Sequence, residues 1–167
     1  APDVWAQGRI AQMIANAGDA GQKAQVEKLI TARWEKIKGG KADDVRKYVA
    51  LFGSLFGVGR EARFTLAEKL MEDTDLNSLL EAEQHLSVLR GEADETTAAR
   101  AVEALARLNT RKGLLEDAAF YYRVLGERYP NIKVDGKKGS EHLEDLSTDK
   151  RFLPYLGSDT RFKIKGK

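Results

Sequence analysis

Two histidines are the side chains of this sequence that are best suited to bind a metal ion or to transfer protons near neutral pH. His85 follows Glu81 by four residues, so a helix would place both on one face, where they could share a metal ion. His142 stands between Glu141 and Glu144, a pattern that is typical of a solvated polar helix face. Because neither histidine has a second histidine nearby, we predict surface pairs, no metal site and no cofactor.

An acidic segment begins like a calcium-binding loop. Asp73, Asp75 and Asn77 supply oxygen ligands at alternate positions, as the start of such a loop does. The residues that follow, 76–80, lack both the glycine and the later acid that the loop requires. The segment is therefore predicted to turn the chain and to cap the next helix.

No other motif in the sequence predicts catalysis. Gly53, Gly57 and Gly59 follow a helical pattern instead of a strand, so they are predicted to end a helix and not to bind a phosphate group. Cysteine is absent, which excludes disulfide bonds, Cys-ligated zinc and thiol catalysis. We predict that the chain is not an enzyme and has no catalytic residues.

The composition favours a soluble helical protein. Of the 167 residues, 42% are hydrophobic and 32% are charged, and no apolar run approaches the roughly 18 residues that span a bilayer. The formal net charge of +2 is too close to neutral to indicate a polyanionic partner. A nucleic-acid-binding helical repeat is therefore only the alternative function, and the cytoplasm and the periplasm both stay open as compartments.

The segment from Ala98 to Pro130 is predicted to form two amphipathic helices. Apolar or small residues recur with helical spacing in its first half, and the pattern stops at Gly113, a residue type that commonly ends helices at positive φ. The pattern resumes at Leu115 and ends before Pro130, which cannot continue a helix. Two helices joined by so short a turn are expected to pack against each other in antiparallel directions.

This helix pair resembles a tetratricopeptide (TPR) repeat. The matching positions are the large and small pair of the first helix, the turn glycine, the small and aromatic residues of the second helix, and the closing proline: Leu105, Ala106, Gly113, Ala118, Tyr122 and Pro130. Val102 and Asn109 depart from the family pattern, which has Trp and an aromatic residue there. The resemblance implies stacked helix pairs in an α-solenoid, and an ordinary antiparallel helix pair is the alternative.

Earlier parts of the chain repeat the motif imperfectly. Ala67 corresponds to Ala106, a separation of 39 positions along the sequence (106 − 67), and the family period is about 34. We therefore predict an all-α fold, a TPR-like α-solenoid of stacked antiparallel helix pairs over residues 1–130. A short irregular C-terminal cap and tail, 131–167, belong to the same domain. A closed helical bundle is the alternative architecture.

Helix limits and core positions follow from glycines and aromatic residues. A third helix is predicted to run over Val45–Phe56 and to end at Gly57 and Gly59. Trp5 and Trp34 are predicted to be core or helix-contact residues, since large aromatic side chains are more often packed than used as ligand platforms.

The C-terminal cap is predicted to begin with a short extended segment at residues 131–136. Ser140 is predicted to cap a short helix. The apolar residues of 152–156 are predicted to cover the exposed end of the last helix pair. The final residues, 161–167, are predicted to be a tail cut from a following domain, with an edge strand as the alternative.

A second resemblance covers residues from about Val45 to Leu156. The helical region beside PQQ-type β-propellers in large bacterial envelope proteins is similar to three stretches, VRKYVALFGSLFGVGREARFTLAEKLMED, LLEDAAFYYRVLGERYP and TDKRFLPYL. The resemblance implies that the chain is part of a larger propeller-plus-solenoid protein of the cell envelope or periplasm. Because membrane-coat scaffolds are built similarly, it also implies a structural role at membranes through the parent protein.

The TPR resemblance implies a protein-binding surface, because family members commonly hold a peptide or a partner helix on the concave face lined by the first helix of each pair. Carried over by position, this face contains Phe64, Glu68, Arg100, Glu103, Arg107 and Arg111, with Glu61 and Glu72 beside the earlier pair. One hypothesis is that the arginines meet carboxylates on a partner. The alternative is that they pair with Glu68, Glu72 or Glu103 within the chain.

The predicted function is therefore a non-enzymatic helical-repeat scaffold that mediates protein–protein interaction. Its partner would be a separate protein or peptide, or another domain of the same parent chain.

Overall fold

The computed structural model describes residues 2–16 and 19–156, and the predicted tail at 161–167 lies outside them. Within these ranges the chain forms nine helices and one two-stranded sheet, which confirms the predicted all-α fold. The elements in chain order are α1 (Pro2–Asn16), α2 (Ala20–Ile37), α3 (Ala42–Phe52), α4 (Phe56–Met71), α5 (Leu76–Arg90), α6 (Glu95–Lys112), α7 (Leu115–Arg128), β1 (Lys133–Val134), β2 (Lys137–Lys138), α8 (Gly139–Thr148) and α9 (Leu153–Leu156).

The chain divides into two compact units, Ala1–His85 and Leu86–Lys167. In the first unit, α1 packs against α3, while α2 packs against both α3 and α4. A row of three aromatic rings joins α2 to α3: the ring centroids of Trp34 and Tyr48 are 5.4 Å apart, and those of Tyr48 and Phe52 are 4.9 Å apart. The Tyr48 hydroxyl also donates a hydrogen bond of 3.0 Å to the Ile30 carbonyl oxygen. Helices α2 and α3 are thus held together by packing and by a buried polar contact.

The two tryptophans differ in their surroundings. Trp34 is buried, as predicted, whereas 72% of Trp5 is exposed, so the prediction that Trp5 is packed is wrong. Trp5 lies in α1, and no other described element covers its side chain. Helical periodicity identifies the apolar side of a helix, but the neighbouring elements decide whether that side is buried.

The predicted end of the third helix is also wrong. Helix α3 ends at Phe52, and the glycines that were predicted to end it, Gly57 and Gly59, lie inside the first turn of α4. A Cβ atom on Gly59 would lie 2.0 Å from the Phe52 carbonyl oxygen. The glycine is therefore needed where α4 starts directly against the end of α3, and its function there is close approach instead of termination.

In the second unit, α6 and α7 form the predicted helix pair and pack against each other. The Asp94 carboxylate accepts a hydrogen bond from the Thr97 amide and so caps the start of α6. The pair turns at Gly113, whose φ of 76° confirms the predicted left-handed end of the helix. Helix α6 is buried over most of its surface, because Ala101 and Ala104 on its flank are covered as well as its central apolar stripe.

The C-terminal cap packs onto α7, as predicted. Phe152 is buried with Ala118, Ala119 and Leu146, so the segment after α8 folds back over the last helix pair. The prediction that Ser140 caps α8 is wrong, since the helix begins at Gly139 and Ser140 lies within its first turn. The Glu141 carboxylate instead accepts a hydrogen bond of 2.6 Å from the amide of Lys138.

Strands β1 and β2 form a hairpin with a two-residue turn, which agrees with the extended character predicted for this segment. The turn residues, Asp135 and Gly136, both have positive φ, at 49° and 82°. Asp-Gly is a preferred dipeptide for such turns because both residues tolerate this conformation better than most. The hairpin places Val134 in the core with Val102, Leu125 and Tyr129.

Candidate functional site

The residues carried over from the TPR resemblance lie in both units. In the first unit, Phe64 and Glu68 are half-buried on α4, while Glu61 and Glu72 are exposed. All four have an interaction partner within the chain. In this unit the structure therefore shows side chains that are already engaged in the fold, and their role in partner binding stays a prediction.

In the second unit, the structure brings Glu103 and Arg107 together. The Arg107 Nε lies 2.9 Å from both carboxylate oxygens of Glu103, and Glu103 is only 3% exposed. Arg100 is half-buried and Arg111 is exposed, and both also interact within the chain. Arg107 thus pairs with a carboxylate of its own chain, which was the alternative to partner binding. Partner binding by Arg100 and Arg111 stays a prediction.

The carboxyl group of Glu103 lies in a strongly desolvated position. Burial raises its pKa above the ordinary value, and the charge and hydrogen bond of Arg107 only partly oppose this effect. Asp135 raises the pKa further by repulsion, while His142 lowers it. Such a carboxyl group is costly to bury without its arginine, so the pair contributes to the fold of the second unit.

A second polar cluster lies in the first unit. The Arg63 guanidinium lies 3.2 Å from Nδ1 of His85, which must accept the hydrogen bond because guanidinium nitrogens only donate. The Nε2 atom of His85 is buried and lies 3.6 Å from a carboxylate oxygen of Glu81, beyond hydrogen-bond range. Burial lowers the pKa of His85, and Arg63 lowers it further by repulsion. His85 is therefore a half-buried neutral side chain, whereas the sequence predicted a surface pair.

Glu81 joins this cluster to α3. Its two carboxylate oxygens accept hydrogen bonds of 2.7 and 3.0 Å from Nε and a terminal nitrogen of Arg46. Arg46 also pairs with Asp43 one helical turn earlier. The hydrogen bond from Arg46 is the main reason that the pKa of Glu81 is lowered. The cluster links α3, α4 and α5, and within it only Nε2 of His85 is buried without a hydrogen-bond partner.

A polar cavity of about 250 Å³ lies in the second unit between the helix pair and the cap. Its four charged side chains form two ion pairs, Lys137 with Asp145 and Arg151 with Asp149. The Nε2 atom of His142 lies 2.9 Å from the Val134 carbonyl oxygen, and only a protonated Nε2 can make that contact. The charged groups of the cavity therefore pair with one another within the cap. No group of three or more His, Asp or Glu side chains among the described residues could hold a metal ion.

An apolar recess of the first unit is a cleft of about 590 Å³ between α1 and α2, here called the α1–α2 cleft. Its lining contains no charged residue and consists of Ile10, Met13, Ile14, Gln22, Gln25, Val26, Leu29, Ile30 and Phe52. Met13 is 68% exposed and Leu29 is 66% exposed, so two large apolar side chains of the lining are open to solvent.

The floor of the α1–α2 cleft is formed by Phe52 and Ile30. Both belong to the contacts that join α2 to α3, Phe52 through the aromatic row and Ile30 through the hydrogen bond from Tyr48. The walls come from the apolar sides of α1 and α2, in which Ile10, Met13 and Ile14 have helical spacing. The recess is thus a concave apolar surface, which is the usual form of a binding site.

Sequence reasoning missed this cleft, although the signal for its walls is present. Ile10, Met13 and Ile14 on α1 and Val26 and Leu29 on α2 recur with helical spacing, which indicates one apolar face on each helix. Only the tertiary structure shows that part of that apolar surface faces an open recess.

Comparison of the chain with protein-family models, with curated proteins and with solved structures finds no match in any of the three. Among the described helices, none has both the length and the apolar character needed to cross a lipid bilayer.

Proposed function

We propose that this chain is a non-enzymatic helical scaffold that binds a partner protein through the α1–α2 cleft. The observation that carries the proposal is the pair of large apolar side chains, Met13 and Leu29, exposed on the walls of a concave recess with an apolar floor. Exposed apolar surface of this kind is costly in water unless something covers it. A partner that fills the recess would gain the free energy of burying those side chains.

The charged groups of the two units support a scaffold over an enzyme. The ion pairs Arg46–Glu81, Glu103–Arg107 and Lys137–Asp145 each satisfy one another and link different elements or successive turns. Polar groups with such mutual pairing stabilise a fold, whereas catalysis needs a nucleophile, acid or base that is directed at a substrate.

An in-cell cross-linking experiment tests this function. A photoreactive amino acid at Leu29 is compared with the same residue at Leu76, a leucine of α5 that is 63% exposed and does not line the cleft. We expect illumination of the native host to give a covalent adduct of discrete mass at Leu29 and none at Leu76. No adduct at Leu29, or the same adducts at both positions, would contradict the proposal.

The TPR-like solenoid is a further part of the proposal. It is supported by the burial of Leu105 and Ala106 in α6, by the left-handed Gly113 and by the burial of Ala118 in α7, which are the positions on which the resemblance rests. Helices that pack on their sequence neighbours are compatible with such a repeat.

The resemblance to the helical region beside PQQ-type β-propellers supports a wider hypothesis. We propose that the chain belongs to a larger bacterial propeller-plus-solenoid protein of the envelope, with a membrane-coat-like role, whose own further domain could be the partner. Sedimentation of the parent protein with vesicles tests the membrane part. A parent that stays in the supernatant would count against it.

A further inference from the structure

The surface next to the α1–α2 cleft is basic. On α2, Arg33 follows Leu29 by four residues and Lys36 follows it by seven, so both continue the stripe that lines the cleft. Both side chains are exposed. On α1, Arg9 precedes Met13 by four residues and lines an adjoining recess that shares Met13 with the cleft. The described side chains form no ion pair with these three cations.

The acidic side chains of α2 do not balance this charge. Glu35 pairs with Lys38 at 2.5 Å. Glu27 directly follows the lining residue Val26, and its helical position turns it away from the stripe that contains Leu29. Asp19 precedes α2, and its carboxylate accepts a hydrogen bond from the Gly21 amide. The apolar recess is thus bordered by positive charge.

The shape of the recess identifies the kind of structure that would fill it. The cleft is bounded by two helices and lies over a floor provided by Phe52 and Ile30. A third helix is the element that lays an apolar stripe into such a groove, with side chains at i, i+3, i+4 and i+7. A flat bilayer surface cannot enter a concave cleft to the same depth.

We propose that the α1–α2 cleft binds an amphipathic helix of a partner protein whose apolar stripe is flanked by acidic side chains. This inference rests on the proposed function and names the partner class for the same site. The apolar stripe covers Met13 and Leu29, while the flanking carboxylates meet Arg9, Arg33 and Lys36. A second copy of the chain is a poorer occupant, because its own cleft is bordered by the same cations and would repel the first.

The test uses the full chain and two synthetic, fluorescein-labelled helical peptides. Both carry leucines at i, i+3, i+4 and i+7, but one has glutamates beside this stripe and the other has lysines. We expect fluorescence anisotropy at low salt to show that the acidic peptide binds about tenfold more tightly than the basic peptide. The double variant Arg33→Glu/Lys36→Glu is expected to remove or invert that preference.

Two leucine variants locate the site. Leu29→Gln is expected to weaken binding of the acidic peptide roughly tenfold, because the peptide no longer buries a large apolar side chain there. Leu76→Gln, which changes a leucine of similar exposure outside the cleft, is the matched control and is expected to leave the affinity unchanged.

Several results would overturn the inference. Equal binding of the two peptides that still depends on Leu29 would overturn the acidic partner class and leave the scaffold function standing. Failure of the acidic peptide to bind would overturn the inference, even if cross-linking at Leu29 succeeds in the host. Co-sedimentation with anionic vesicles in place of peptide binding would assign the cleft to a membrane. Self-association that Leu29→Gln abolishes would assign it to a second copy.

Discussion

At the scale of single residues, Glu103 and Arg107 form an ion pair within the fold, although the sequence assigned both to a partner-binding face. We expect Arg107→Met to lower the free energy of unfolding by about 1–2 kcal/mol at neutral pH. The physical reason is that a nearly fully buried carboxylate is left without its counterion. This loss is smaller than for a fully buried ion pair, because the arginine is partly exposed to solvent. Chemical denaturation monitored by circular dichroism measures this loss.

The double variant Glu103→Leu/Arg107→Met is the control. It removes both charges, and we expect it to recover most of the stability that the single change loses, since an apolar residue can replace a buried ion pair without penalty. If the double variant were as unstable as Arg107→Met, loss of packing and not an unpaired charge would be the cause.

Because Arg107 is paired with Glu103, it is a poor position for a variant that tests partner binding. Arg107→Glu would place a second carboxylate beside Glu103, so weaker partner binding in that variant would not separate a lost contact from a damaged fold. Leu29 is a better position for a binding variant, because its side chain is largely exposed and its loss costs the isolated fold little.

His85 makes a prediction about pH. Burial and Arg63 lower its pKa below 6.5, so the folded state binds fewer protons than the unfolded state when the pH lies between the two pKa values. The contribution of His85 to stability is therefore present above pH 6.5 and is lost as the pH falls through its lower, folded pKa. The free energy of unfolding should therefore decrease between pH 7 and pH 5, and this pH dependence should be weaker in His85→Gln.

An NMR titration tests the pKa of His85 directly. The imidazole signal that is missing from the spectrum of His85→Gln belongs to His85, and we expect its titration midpoint to lie below 6.5. A midpoint at or above that value would mean that Glu81 outweighs burial and the repulsion from Arg63.

At the scale of secondary-structure elements, two helical glycines should respond oppositely to the same change. Gly126 in α7 lies so close to α8 that an added Cβ atom would be 2.6 Å from the Cβ atom of Leu143. Gly8 in α1 has no atom within 4 Å of the same position. We expect Gly126→Ala to destabilise the protein by about 1–3 kcal/mol through overpacking. Gly8→Ala should stabilise it by about 0.5–1 kcal/mol through helix propensity.

Thermal and denaturant unfolding of the two glycine variants measures both effects. The opposite signs make each variant the control for the other, because propensity alone would predict a gain at both positions. Stabilisation by Gly126→Ala would mean that α7 and α8 do not approach as closely as described.

The helices themselves were largely predictable, for physical reasons. In α6 and α7, periodicity, the turn glycine and the proline after the second helix all agree, so Gly113 and Pro130 mark the ends of the pair. The boundary between α3 and α4 was not predictable in this way. Glycine commonly ends a helix, but Gly59 is required by the backbone of Phe52, a neighbour that only the folded chain reveals.

The candidate site was less predictable than the helices. The TPR resemblance assigned Glu103 to an open concave face, but hairpin β1–β2 and α8 lie near it in the folded unit, as the influence of Asp135 and His142 on its pKa indicates. In the same way, helical spacing indicates an apolar face on α1 and on α2, but not the open recess that both helices line. A sequence pattern specifies which face is apolar, whereas burial depends on what the rest of the chain covers.

At the scale of the whole molecule, we propose that the chain is a helical scaffold that binds its partner in the first unit, through the α1–α2 cleft. The most direct measurement is amide chemical-shift mapping of the full chain during titration with the acidic helical peptide. We expect the perturbed amides to cluster on α1, on α2 and around Phe52. Perturbations that concentrate on α6, α7 and α8, or their complete absence at a saturating concentration of peptide, would contradict this proposal.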